Sequence, residues 1–365
     1  MGFQCGLVGL PNVGKSTLFT ALSSIPAERA KFPFSTVEPN RGIVPVMDDR
    51  LFKVARLVSS EDITPATLKI VDIAGLIKGA GRGEGLGNRF LAHIREMDLL
   101  LHVVRGFSSP DVPHLAGNPD PRRDIEIVEL ELIFADLSLI EKKQEKIVRN
   151  LKTRAADVIA EKELLDKLHD HLNAGKTARS LLLSEKEESI IADWQLLTVK
   201  PVIYVINTGE DELVQQEPET VKAVKLFAEA SGAPVISICA SLEAELEGMC
   251  EEDKILFMDE YGLKETGLNR LTKLGYDYLG LITFFTLKGR EARAWAIKNG
   301  TTAKSGAGKV HSDMERGFIA AEVISWDELI RIGSLTAAKE KGVLRLEGRD
   351  YVVRDGDVVL FRFKV

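Results

Sequence analysis

Cysteine is scarce in this chain, with three in 365 residues. Cys5, Cys239 and Cys250 fall into no ligand spacing, which excludes a disulfide framework and a cysteine-held metal site. That usage suits a reducing cytosol, so a cytoplasmic location is expected. Also missing is any apolar run near the ~18 residues that a membrane span needs, and no membrane partner is expected. No basic stretch opens the N-terminus, so a signal peptide is not expected. Met1-Gly2 begins like a myristoylation signal, but Gly6 stands where Ser or Thr is required. An excess of positive charge is lacking too. The net charge is −7, which argues against non-specific nucleic-acid binding by the whole surface and leaves room for a local basic face. The remaining composition, 45% hydrophobic and 28% charged, is that of a soluble globular protein. The length provides for two or three domains.

What is there begins with Gly9-Leu-Pro-Asn-Val-Gly14-Lys15-Ser16-Thr17, which fits G-x-x-x-x-G-K-[ST] at every fixed position. The apolar Phe3 to Val8 before it reads as a buried strand, and Thr17 to Ser23 after it has helical character. Strand, glycine loop and helix is the context the motif requires. The glycines let backbone N–H groups from Asn12 to Thr17 wrap a polyphosphate at the helix N-terminus. Lys15 would reach the β- and γ-phosphates, and the Ser16 hydroxyl would hold Mg²⁺. A bare strand-to-helix glycine turn is the alternative, but it gives Lys15 and Ser16 no task.

Phe32-Pro-Phe-Ser-Thr36 reads as an exposed loop, with Thr36 a second candidate Mg²⁺ ligand. Thr67 to Val71 is a β-branched strand ending in Asp72-Ile-Ala-Gly75. There Asp72 would orient a Mg²⁺ water and the Gly75 N–H would meet the γ-phosphate. The run Gly79-Ala-Gly81-Arg-Gly83-Glu-Gly85-Leu-Gly87 reads as a loop that orders on nucleotide binding, or as a flexible linker. Leu99 to Val104, Val202 to Ile206 and Pro234 to Ile238 are further strands. The last two end in Asn207-Thr-Gly-Glu210 and Cys239-Ala240-Ser241. In a GTP-binding domain these are the places where the base is read, by Asn-Lys-x-Asp and a Ser-Ala element. Here Thr208 replaces the lysine and Glu210 the aspartate.

Between these strands the pattern changes. Ile133, Leu137, Ile140, Ile147 and Leu151, with Gln144 as the one polar entry, and then Val158, Leu165, Leu168 and Leu172, mark two long amphipathic helices, an antiparallel coiled coil. Ser184-Glu-Lys-Glu187 is a capping box that opens a third helix with Ile190, Ile191, Trp194 and Leu197 inward. Beyond Leu281, strands at Ile282–Leu287, Phe318–Val323, Val343–Leu346 and Val358–Phe363, with a helix at Trp326–Gly333, suggest a small β-grasp module. Seven basic against three acidic residues between Lys288 and Arg316 form a modest basic face, for RNA or only for water.

Together these motifs, with Phe32-Pro-Phe-Ser-Thr-Val-Glu-Pro-Asn40 and Asp355-Gly-Asp357, resemble the Obg-like ATPase family, the YchF group of translation-factor P-loop NTPases. The resemblance spans essentially the whole chain. It implies an α/β fold whose P-loop domain (residues 1–124 and 200–280) has a mostly parallel sheet. It also implies a helical coiled-coil insertion (125–199) and a C-terminal TGS β-grasp domain (281–365). The implied activity is slow hydrolysis of ATP, preferred over GTP, by a monomer that binds the ribosome and its large subunit, rRNA included. A conventional GTPase and a non-catalytic nucleotide-regulated scaffold are the competing expectations. An aspartate at position 210 would accept from the guanine N1–H and N2–H₂; its loss removes the reason for guanine selectivity. Conventional GTPases place a water-orienting glutamine after D-x-x-G, and here that residue is Leu76. The resemblance offers two substitutes, His114 and a K⁺ ion held by Asn12. His114 read by itself is equally a solvent-facing loop residue. The C-terminal domain is expected to be removable with ATP binding nearly intact.

Overall fold

The computed structural model describes residues 3–24, 41–73, 86–109, 112, 120–150, 156–210, 219–229 and 231–364. The chain divides into two compact units. One is Gln4–Ala21 with Val71–Gly267; the other is Met1–Phe3, Leu22–Ile70 and Leu268–Val365.

In the first unit, β1 (Gln4–Val8) leads through the glycine loop into α1 (Lys15–Ser24). The strand β4 (Ala66–Asp72) enters this unit at Val71 and ends at the expected aspartate. The helix α3 (Leu86–Glu96) then leads to β5 (Leu99–Arg105), and β6 (Val202–Asn207) and β7 (Val235–Ile238) follow later. All seven residues of β5 and all six of β6 are buried. Runs apolar on both faces belong inside a parallel sheet, where neither face meets water. β1 pairs with β5, β5 with β6 and β6 with β7, all parallel. The register sets Arg105 beside Asn207 and Asn207 beside Ile238. The C-terminal strand ends therefore line up, the edge where parallel sheets bind ligands.

The helical insertion begins as α4 (Pro121–Asn150), continues as α5 (Ala156–Asn173) and ends in α6 (Glu185–Ala192). The first turns of α4 still belong to the sheet: Ile125 and Val128 are fully buried, and Tyr204 donates to Glu129 Oε1 at 2.8 Å. Further along, Ile133, Ile140 and Ile147 pack on Leu165, Leu168 and Leu172, as their spacing requires. The polar entry at Gln144 has a partner across the pair, since its Nε2 donates to Asp166 Oδ1 at 2.9 Å. The capping box of α6 forms, with the Ser184 N–H donating to Glu187 Oε2 at 2.7 Å. That helix stops at Ala192, so Trp194 and Leu197 are buried from beyond its end rather than on its face. There Asp136, itself buried, accepts from Leu197 N, Thr198 N and Thr198 Oγ1 at 2.9, 2.8 and 2.6 Å, and fastens the turn before β6 to α4.

The second unit holds a mixed sheet. Its strands are β3 (Asp62–Thr64), β8 (Leu281–Lys288), β9 (Glu291–Lys298), β10 (Phe318–Ser325), β11 (Arg345–Glu347) and β12 (Asp357–Phe363), in the order β11-β10-β12-β8-β9-β3. β9 is a strand that the sequence reading did not assign; it lies within the basic run and pairs antiparallel with β8. Two short helices, Ala303–Val310 and Ser312–Arg316, fill most of the rest of that run. The strand β3 comes from far earlier in the chain and pairs parallel with β9. After β2 (Arg41–Val46), the helix α2 (Asp49–Leu57) joins the same unit, packing on β9 and on the helix Trp326–Ile332. Its Arg50 donates to Asp48 and to Asp355, the latter at 2.5 Å, and Asp355 also accepts from Thr283 N at 2.9 Å.

Candidate nucleotide site

The glycine loop follows β1 and bends tightly over the neighbouring strands. At Gly9 a Cβ would sit 2.4 Å from the Val103 carbonyl oxygen. At Gly14, where φ is +94°, a Cβ would sit 2.1 Å from Asn207 Nδ2. Asn12 adopts φ +64°, a left-handed turn that asparagine tolerates better than most residues. Lys15 is buried and donates to Gly9 O at 3.1 Å and Leu10 O at 2.7 Å. Burial of its ammonium lowers its pKa to about 8, against the opposing pull of Asp72. Such a desolvated cation gains from an incoming anion.

Ser16 Oγ donates to Asp72 Oδ2 at 3.3 Å, which brings the two expected magnesium-side groups together. Asp72 Oδ1 is buried with no hydrogen-bond partner. A hydroxyl and one carboxylate with a spare oxygen fit Mg²⁺, which takes few protein oxygens and completes its shell with water and phosphate. Thr36, Gly75, Leu76 and His114 lie outside the described residues.

The base end is organised by Asn207. Its Nδ2 donates to Val13 O at 3.0 Å, and its Oδ1 accepts from Ala240 N at 3.0 Å. One side chain thus ties the phosphate loop to the Cys239-Ala240 turn. Cys239 is buried beneath that turn as N-cap of the helix Ala240–Glu247, and its Sγ lies 3.2 Å from Ser241 Oγ. A cavity of about 470 Å³ opens here, lined by Asn12, Gly14 and Thr17 on one side and Asn207, Thr208 and Glu210 on the other. Ser241 also lines it and donates to Glu210 Oε1 at 3.5 Å, so the carboxylate is held at the cavity wall. The Thr208 hydroxyl is buried without a partner.

Sequence reasoning missed the opposite wall, Phe107 to Ser109 with Val112. It is hung from Arg105, which is buried and donates to Phe107 O, Ser109 O and Val112 O at 3.2, 3.3 and 2.9 Å. The available signal was an arginine closing a strand of otherwise buried type, where a cation is kept only if its donors are satisfied. His102 on the same strand is buried and stays neutral, its pKa lowered to about 3 by burial and then by Arg179 and Lys15.

Residues 4–151 match the family model of a 50S ribosome-binding GTPase. Residues 281–364 match the YchF-GTPase C-terminal model, described as a protein of unknown function. The chain is 45% identical to the ribosome-binding ATPase YchF of Bacillus subtilis, covering 100% of both chains. It is 46% identical to the protein of that name from Mycoplasma genitalium, covering 99% of each. Among solved structures it resembles the Schizosaccharomyces pombe YchF GTPase, with a TM-score of 0.89, 32% identity, and 99% and 98% of the two chains covered.

Proposed function

The chain belongs to the YchF family, and we propose that it is a ribosome-binding ATPase which prefers ATP to GTP and works with Mg²⁺. The observation that carries this reading is one cavity bounded by the phosphate loop and by the Asn207–Glu210 and Ala240-Ser241 turns. Water attacks the γ-phosphorus, the bond to the β–γ bridging oxygen breaks, and ADP and phosphate leave. The loop's N–H groups and Lys15 hold the phosphates; Lys15 exchanges two carbonyl oxygens for phosphate oxygens. Ser16 and Asp72 would hold Mg²⁺, which when bound neutralises charge on the β- and γ-oxygens. Asn207 keeps the phosphate and base ends at a fixed spacing. Guanine recognition needs a short carboxylate free to accept from N1–H and N2–H₂; Glu210 is longer and is engaged by Ser241 at the cavity wall instead, and this supports ATP over GTP. Leu76 cannot orient water, so slow turnover assisted by His114 or by K⁺ at Asn12 belongs to the same proposal. So do action in the cytoplasm as a monomer, and docking through the insertion and the C-terminal domain.

Calorimetry with both nucleotides tests the base preference. ATP is expected to bind more tightly. A GTP affinity tenfold above that for ATP, about 1.4 kcal/mol, would overturn it in favour of a conventional GTPase, and absence of single-turnover hydrolysis with and without ribosomes would leave a scaffold.

A further inference from the structure

The second unit contains a groove of about 650 Å³ that the nucleotide chemistry does not use. Its floor is aromatic: Trp295 on β9 and Phe361 on β12, with Phe363 at the rim, 38% exposed. The indole is fixed, since its Nε1 donates to Thr286 Oγ1 at 2.9 Å. The Arg293 guanidinium lies 4.1 Å from the centre of the Trp295 ring and is itself part of the lining. Val310, His311 and Met314 from the two short helices form a wall.

The charges sort in a telling way. Both acids in the lining are engaged, Glu291 with Arg293 at 3.8 Å and Asp313 with Arg316. Lys288, which also lines the groove, is exposed. Most of the other basic residues in the run are engaged elsewhere: Arg290 with Glu61, and Lys298 and Lys309 over the Phe3 ring, while Lys304 is exposed on the helix Ala303–Val310 and does not line the groove. The run is therefore no continuous phosphate track. What survives as a site is a set of flat π-surfaces with two cations. β12 and β8 are interior strands of their sheet, and β9 is covered by β3 from Glu291 to Arg293, so an added peptide strand would find an edge only along the rest of β9.

We propose that this groove binds single-stranded RNA by stacking its unpaired bases on the Arg293 plane, which itself lies over Trp295, and on Phe361 and Phe363, while Lys288 meets the backbone. Bases stack on aromatic rings and on arginine planes, and such binding needs unpaired nucleotides. The inference rests on the ribosome reading for its source of RNA, and it gives the C-terminal domain a task.

Full-length protein with excess ADP is titrated against a labelled single-stranded RNA of mixed sequence and against the same RNA as a duplex, read by fluorescence anisotropy. Phe363→Ala and Arg293→Lys change side chains 38% and 37% exposed, and melting curves are taken alongside. Each is expected to weaken single-strand binding about fivefold or more, with ATP hydrolysis unchanged. Arg293→Lys keeps the charge and removes the plane, so parental binding by that variant would reduce the site to a phosphate contact and overturn stacking. Equal affinity for the duplex would overturn it as well. Co-sedimentation of the unaltered protein with large ribosomal subunits tests the underlying reading separately. Ribosome binding without oligonucleotide binding removes the groove alone. Oligonucleotide binding without ribosome binding keeps the groove and removes its ribosomal source.

Discussion

Lys15 shows how one desolvated charge links binding to stability. Folding lowers its pKa from 10.5 to about 8, chiefly through burial. Below about 8 the folded and unfolded chains both hold the proton. Between about 8 and 10.5 the unfolded chain holds it and the folded chain does not, so stability from this residue rises with pH across that window. ATP affinity should move the other way, because the neutral amine no longer attracts phosphate. The free protein's melting temperature is expected to climb from pH 8 towards 10 by more than that of Lys15→Gln, while ATP binding by the parent falls. Parallel pH curves for parent and variant would place the titration elsewhere. Asn207 acts at the same scale by a different means: it carries no charge, yet both of its amide atoms are committed to holding two turns together.

Among the elements, the insertion depends on Asp136. Three donors converge on its buried carboxylate, and burial raises its pKa against the pull of those hydrogen bonds. Asp136→Ala would leave Leu197 N and Thr198 N buried without acceptors, at about 1–3 kcal/mol for such a loss. A lowered urea midpoint is expected, and an unchanged one would mean that water replaces the carboxylate. The sequence was most legible where one face or one motif decides the outcome. The isoleucine and leucine spacing marked the coiled coil, and Ser184 to Glu187 marked a cap. It was least legible at β9, where Ala292, Ala294 and Ala296 are the buried face, Glu291 and Arg293 take the first alternate positions and Lys298 closes the strand. Alanine between charges carries a weak strand signal, although the alternation of two was present. At the site, the phosphate loop, Asp72 and Asn207 were readable from motif and strand context. Arg105 was not, because what a strand-terminal arginine holds depends on loops it meets only after folding. The clamp through Asn207 needed the register of three strands.

For the whole molecule, the segment Leu22–Ile70 matters most. It leaves the nucleotide-binding unit just after the phosphate loop and returns just before Asp72. Between those points α2 and β3 are built into the C-terminal sheet, through Arg50 with Asp355 and Asp62 to Thr64 with Glu291 to Arg293. Removing Leu281–Val365 should therefore uncover α2 and unpair β3, and the truncated chain is expected to melt lower or to aggregate. Circular dichroism melts and ATP titration of the truncated chain check this; an unchanged melt and affinity would show that Leu22–Ile70 stands without its partner strands. Exposed substitutions in the C-terminal domain are accordingly cleaner probes than deletion. The same stitching sets a timetable for the nascent chain. Glu61 emerges from synthesis 229 residues before Arg290, its ion-pair partner. At 5–20 residues per second that is a wait of about 10 to 45 s. Through that interval the strand has no neighbour and the glycine loop is already made. A translation product cut short between β3 and β9 would keep its phosphate-binding sequence but lack the sheet that anchors β3, leaving it open to proteolysis.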